Sequence, residues 1–310
     1  MAWTIGHSPP RGGRARGILA ILTGVALLSA SDALVKRSGD GFGLAQLVLL
    51  RSVVAASLLA TWLLIGRGAA GLHLVRGGWV WARSLCLAAM WLCYYAALPA
   101  MSFALAAACY YTSPAWMAVL GRCLLGMRIG GRGWAAVALS LVGVVLAVSP
   151  APDTFTPVIL LPLAAGGFYA LAGIITWRHC QAESPGAMAF TLNLCLVGVA
   201  AAGLCLLSVM GPSGDGFVLA VWPPLSPARW RLVLLLGVLL AVIATVVAAA
   251  YRLAPTPVVG VFDTAYLGFA ALWGALLFAE VPTFREALGI GMIAVSAILM
   301  SDTDPVENSP

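Results

Sequence analysis

Apolar runs long enough to cross a bilayer follow one another along almost the whole of this chain, and that succession leaves it few folds. A hydrocarbon core roughly 30 Å thick takes about 20 helical residues to cross. Ten stretches qualify, at 17–35, 44–65, 79–98, 102–125, 133–149, 157–177, 187–208, 230–251, 256–279 and 285–301. A membrane barrel is excluded, because barrel strands alternate polar and apolar residues over about ten positions. Only 9% of the 310 residues are charged and 62% are hydrophobic, whereas soluble domains carry roughly 25% charged residues. Lipid is therefore the main solvent, and soluble domains, disulfide scaffolds and nucleic-acid binders drop out. The 34 Gly and 18 Pro fit membrane helices, where both are commoner than in soluble ones. The seven cysteines form no CxxC, and six lie in apolar runs, so no disulfide is expected.

The net charge of +6 belongs to topology. With the N-terminus inside, the inner loops and tail hold Arg11, Arg14, Arg16, Arg67, Arg76, Arg122, Arg128, Arg132, Arg178 and Arg252. The outer side holds Lys36, Arg37, Arg229, Arg231 and Arg285, while Arg51 and Arg83 fall within spans. This excess predicts both termini cytoplasmic in a bacterial inner (plasma) membrane. Trp62, Trp79, Trp81, Trp134, Trp177, Trp222 and Trp230 sit near span ends, as an aromatic belt requires. Short loops imply one compact bundle; the longer, Pro- and Trp-rich stretch 209–229 is expected to lie in the interface. The first run, ahead of Ser29-Ala30-Ser31, could be read as a cleavable signal, but it is long for one.

A shift of 153 residues lays Gly121 on Gly274, Leu124 on Leu277, Met127 on Glu280 and Met101-Ser102 on Ala254-Pro255. Five spans in each half force the second half to enter from the opposite face, an inverted repeat of the kind many secondary transporters use. The expected fold is all-α integral membrane, with ten transmembrane helices as two inverted five-helix repeats. The divisions are a tail 1–16, a first repeat 17–149, a linker 150–156, a second repeat 157–301 and a tail 302–310.

Several strings carry a resemblance to a known family. They are SDALVKRSG at 31–39, Arg51 after QLVLL, the run at 82–121 from ARSLCLAAMW to MAVLG, and GWAAVALSLVGVVLAVSP at 133–150. The second half adds YRLAPTPVVGVFDTAYLGFAALWGALLFAEVP at 251–282 and GIGMIAVSAILMS at 289–301. With these strings the chain resembles the EamA-type permeases of the drug/metabolite transporter superfamily over nearly its whole length. The resemblance implies ten helices, termini inside, and transport of small metabolites such as amino acids, nucleobase-like compounds or vitamins without ATP hydrolysis. One departure is visible: members often carry a Glu near the end of the fourth helix, where this chain has Met127, while the counterpart Glu280 remains.

Ionisable residues inside spans cost roughly 2.5–3.5 kcal/mol each on insertion scales, so each asks for a reason. Asp263, deep in the ninth run, is the leading candidate for a proton-responsive or substrate-binding carboxylate, with Tyr266 at i+3 on the same helical face. The alternative is that Asp263 only fixes packing. Asp32 and Lys36, at i and i+4, are spaced to meet as an ion pair. Arg51 keeps its charge and needs a partner, either a substrate carboxylate, Asp32 or Asp263. Arg83 and Arg122 read as snorkelling anchors.

Trp91, Tyr94, Tyr95, Tyr110, Tyr111, Trp116, Tyr169 and Trp273 put polar-edged rings inside the bundle, suited to a planar or zwitterionic ligand or to plain packing. Among them Tyr110, Trp91 and Tyr169 join the candidate pocket, and Asn193 is either lining or packing. His7, His73 and His179 make no metal-ligand spacing, and the Gly211-Pro212-Ser213-Gly214 match to an intramembrane protease motif lacks a histidine base in any span. No Walker motif or dinucleotide fingerprint appears, so neither metal, cofactor nor enzyme is expected. The expected partners are a small-molecule substrate, protons as coupling ion and membrane lipid, with no nucleic acid. Two other classes remain open, an integral-membrane enzyme and a non-transporting scaffold.

Overall fold

The computed structural model describes residues 11–126, 130–148, 157–211, 216–253 and 256–301. Among these, twelve α-helices carry the chain: α1 (Arg11–Arg37), α2 (Leu44–Arg67), α3 (Gly77–Ala97), α4 (Phe103–Tyr110), α5 (Ser113–Leu125) and α6 (Gly131–Val148) come first. Then follow α7 (Leu160–His179), α8 (Pro185–Met210), α9 (Pro227–Leu253), α10 (Thr256–Asp263), α11 (Ala265–Phe278) and α12 (Phe284–Ser301). Eight helical stretches among the described residues are long and apolar enough to cross a membrane, and α6 adds a shorter apolar one. Large apolar side chains such as Ile65, Leu141, Leu206 and Leu276 are exposed on the outside of the bundle, where a soluble protein would not hold them in such number. The seven belt tryptophans are likewise exposed.

Each of the ten expected runs is helical, but two of them are broken. The run 102–125 divides into α4 and α5, and 256–279 into α10 and α11. At the first break Pro114 has no N–H to offer Tyr110, and the Thr112 hydroxyl instead donates to the carbonyl of Cys109 at 2.7 Å. At the second, the Thr264 hydroxyl donates to the carbonyl of Val261 at 2.6 Å. A threonine hydroxyl thus occupies a backbone acceptor where the ladder is interrupted. The shift of 153 residues carries the end of α4 at Tyr110 onto the end of α10 at Asp263, and the start of α6 at Gly131 onto the start of α12 at Phe284.

The packing has the same regularity. α6 lies on α12 and α2 on α8; α3 packs on α7 as α1 packs on α9; α2 meets α9 as α8 meets α3. α1 meets α10 and α11 as α7 meets α4 and α5. The α6–α12 contact is backbone to backbone. A Cβ on Gly289 would stand 2.5 Å from the Gly143 carbonyl oxygen, and one on Gly143 would stand 2.8 Å from that of Gly289. Beside it the Ser296 hydroxyl donates to the Ala136 carbonyl at 2.8 Å. Small residues allow this approach, which is how membrane helices associate without a hydrophobic driving force.

The described part of the stretch 209–229 folds over the start of α2. The Leu44 N–H donates to the Phe217 carbonyl at 2.7 Å, and Gln46 Nε2 donates to that of Pro223 at 3.0 Å. The N-terminus of α2 has donors to satisfy, and this segment supplies the acceptors. Residues 212–215, with the protease-like match, and 127–129, with Met127, lie outside the described residues.

Replacing Gly289 by Leu is expected to cost about 1–3 kcal/mol through overpacking, read as a lowered melting temperature in detergent. Gly198→Leu, where nothing lies within 4 Å, is expected to leave it near wild type.

Candidate functional site

Five residues before the end of α1, Asp32 is 2% exposed, and Arg51 on α2 is 1% exposed. A bare carboxylate or guanidinium so placed would be costly, and both are met by aromatic side chains. Asp32 Oδ1 accepts from the Tyr95 hydroxyl on α3 at 2.9 Å. Asp32 Oδ2 accepts from the Tyr266 hydroxyl on α11 at 2.6 Å. Tyr95 in turn accepts from Arg51 Nη1 at 2.6 Å. Because the Tyr266 proton is committed to Asp32, the 3.1 Å contact with Tyr94 has the Tyr94 hydroxyl donating. The Arg51 guanidinium carbon stands 5.1 Å from the Trp91 ring centre and 4.7 Å from that of Tyr95, a cation–π arrangement on both. The hub is therefore an ion pair held apart by one phenol, drawing on α1, α2, α3 and α11.

Asp263, the C-terminal residue of α10, forms a second, partly buried centre. The Tyr111 hydroxyl lies 3.0 Å from its main-chain oxygen and 3.2 Å from Oδ2, so it serves both as one shared donor. The Tyr111 ring stacks on that of Tyr266 at 5.4 Å and 27°. Tyr110 meets Tyr111, Tyr94 and Tyr169 at 5.4, 5.6 and 5.5 Å between ring centres. An aromatic chain thus runs between the two carboxylates.

Lys36 belongs to a third group near the end of α1. Its Nζ lies 2.5 Å from Glu280 Oε1, 2.7 Å from the Met101 carbonyl oxygen and 4.8 Å above the Phe278 ring. Glu280 Oε2 accepts from the Phe103 N–H at 2.8 Å, at the start of α4.

These placements correct three sequence readings. Asp32 and Lys36 do not meet: Asp32 accepts from Tyr95 on α3 and Tyr266 on α11, and Lys36 pairs with Glu280 just past the end of α11. Asp263 and Tyr266 do not share a helical face, since the break at Thr264 separates α10 from α11 and sends the Tyr266 hydroxyl to Asp32. Arg83 is no free snorkelling anchor, because its Nε donates to Thr176 Oγ1 on α7 at 2.9 Å. Trp116 is 39% exposed and stands on the outside of the bundle. The partner of Asp263 is Tyr111, one residue past the Tyr110 that the repeat offset picks out.

Sequence reasoning missed Tyr95 and Tyr111 as hydrogen-bond partners. It also missed Glu183, whose oxygens accept from the N–H groups of Val75 and Arg76 at 3.1 and 2.6 Å and hold the start of α3 to the α7–α8 turn. The positions of Tyr95 and Tyr111 inside apolar runs were the available signal, but nothing in their spacing named a partner. Asn193 Nδ2 donates to the Ala189 carbonyl of its own helix at 2.9 Å. A cleft of about 320 Å³ lies away from both carboxylates, between Leu59, Trp62 and Leu63 of α2, Gly186 and Ala189 of α8, and Thr245 of α9.

Long apolar helices around buried polar hubs define a multi-pass membrane protein. Residues 15–149 match the EamA-like transporter family, so the first half of the chain is similar to that family. It is similar to a riboflavin transporter of Vibrio cholerae, 27% identical over 61% of this chain and 59% of that one. A riboflavin transporter of Rhizobium johnstonii is 28% identical over 68% and 64%. The chain thus spans less than two thirds of the length of both. The pseudopaline exporter CntI of Pseudomonas aeruginosa is 25% identical over 93% of this chain and 96% of its own. A solved crystal structure superimposes with a TM-score of 0.63 over 93% of this chain and 97% of that one at 19% identity, a likeness of fold.

Lys36→Met is expected to lower stability by about 2 kcal/mol, because it strands Glu280. Paired with Glu280→Gln, the loss should be smaller than the sum of the two single changes. Thermal melts of the four proteins in detergent check this.

Proposed function

We propose that the protein is a secondary transporter that moves a small organic metabolite across a bacterial inner membrane by alternating access. The observation that carries the reading is the Asp32 hub, a buried carboxylate satisfied at once by Tyr95 of the first half and Tyr266 of the second. An intramembrane ionisable group facing the interior of a bundle marks a substrate or ion path more often than a packing device. The named activities of the riboflavin transporters and the pseudopaline exporter support a small metabolite as cargo. In this reading the chain is no enzyme, and nothing observed favours an enzyme or a scaffold.

The architecture we assign is two inverted five-helix repeats, 17–149 and 157–301, with both termini in the cytoplasm and 150–156 as the link. It is supported by the interchange of packing pairs when each helix is exchanged for its counterpart, and by the equivalent ends of α4 and α10 and equivalent starts of α6 and α12. Discontinuous helices near the middle of a repeat are typical of transporter binding sites, and here the two breaks carry Tyr111 and Asp263. In this assignment Asp32 and Asp263 are substrate-binding or proton-coupling carboxylates. Arg51, Trp91, Tyr110, Tyr169 and Tyr266 shape the pocket, and Lys36 ties its outer end.

Flux in proteoliposomes tests the roles of the two acids. Asp32→Asn and Asp263→Asn are each expected to cut transport by about tenfold or more and to flatten its pH dependence. A variant with unchanged flux and unchanged pH profile removes its acid from the mechanism.

A further inference from the structure

Arg51 offers more donors than the fold uses. At 1% exposure, its Nη1 is bonded to Tyr95, while Nε and Nη2 have no acceptor among the described residues. In a guanidinium the Nε–H and the adjacent Nη2–H lie parallel on one edge and form the fork that grips two oxygens of one oxyanion. The opposite nitrogen is the one tied down. The guanidinium carbon also rests against two neighbouring rings, 5.1 Å from the Trp91 centre and 4.7 Å from that of Tyr95, which are themselves 5.1 Å apart. The nearest carboxylate of the protein, Asp32, is kept from that edge because both its oxygens are engaged by phenols. A guanidinium does not lose its proton to escape the cost of burial. What remains is a charged, two-pronged donor whose natural complement does not come from the described residues.

We infer that the transported molecule carries a carboxylate and that this group docks on the Nε–Nη2 edge of Arg51. The inference rests on the transporter reading and narrows it to a substrate class. A carboxylate fits better than a phosphate dianion, because one guanidinium already faces the negative Asp32, and a second full negative charge would have no cation to meet it. The charge of the arriving carboxylate is balanced by one positive charge, either a proton taken up by Asp32 or an ammonium on the same molecule. Trp91, with its ring against the guanidinium and itself half-buried, lies beside that docking position.

The test uses proteoliposomes loaded with a bacterial small-metabolite extract, with efflux resolved by mass spectrometry against protein-free vesicles. The expected result is that the solutes released by the protein bear a free carboxylate, and that their methyl esters compete about tenfold less well or worse. That comparison needs only the wild-type protein, so it stands even where variants fold poorly. Arg51→Lys is expected to retain the melting temperature more nearly than Arg51→Gln, yet to lose about tenfold in apparent affinity, because a point charge does not reproduce the fork. Release of solutes lacking a carboxylate, phosphate esters included, overturns the inference while leaving the transporter reading intact. So does equal competition by acid and ester, or wild-type affinity in Arg51→Lys. If no solute is released, the transporter reading itself fails, and this inference falls with it.

Discussion

A carboxylate and a guanidinium inside a lipid-solvated bundle can persist only where other helices supply their hydrogen bonds, and the Arg51–Tyr95–Asp32–Tyr266 chain is how this protein meets that demand. The requirement is structural before it is functional. It draws α2 and α3 of the first half and α11 of the second onto α1, so that the halves cannot separate without stranding a charge. Phenols suit the task better than a direct ion pair. A direct Asp32–Arg51 contact would cancel both charges and leave nothing polar to respond, whereas a hydroxyl between them satisfies one side of each and leaves an edge of the guanidinium unused.

The broken helices follow from the same economy of backbone donors and acceptors. In hydrocarbon every carbonyl released from a helix must find another donor. Thr112 and Thr264 provide hydroxyls locally, each to the carbonyl three residues before it. Only the first break has a proline to explain it; the second has none, yet it falls at the equivalent place. There Tyr111, the residue just past the end of α4, donates to the main-chain oxygen of Asp263, which ends α10. Each break thus contributes a group to the contact that stabilises the other. α7 approaches the first break closely because Gly166 has no Cβ, which would otherwise stand 3.0 Å from the Tyr110 carbonyl oxygen.

Much of the fold could be read from the chain because lipid imposes a single rule, twenty apolar residues per crossing, and all ten runs are helical. The breaks within two of them could not be read, since Thr112 and Thr264 carry a signal no stronger than other threonines in apolar runs. At the site, the cost of burial singled out Asp32, Arg51 and Asp263 without any structure. Their partners were hidden because hydrogen bonds across helices join residues separated by tens to hundreds of positions, as with Asp32 and Tyr266, 234 apart. Spacing along one helix was the only geometry available, and it misled in both cases where it was used: Asp32 with Lys36 and Asp263 with Tyr266.

Why the local pair loses is itself informative. Meeting as i and i+4, Asp32 and Lys36 would gain only the few tenths of a kcal/mol typical of such a pair and would leave the Tyr266 and Tyr95 hydroxyls and the Glu280 carboxylate with unmet demands. Dividing them lets all of these groups be satisfied. It also fastens α1 at two heights, Asp32 to Tyr266 at the start of α11 and Lys36 to Glu280 just past its end. Sliding α1 along α11 would break a charged contact at both levels together. By contrast, the Tyr111–Asp263 contact rests on a single hydroxyl shared between two acceptors.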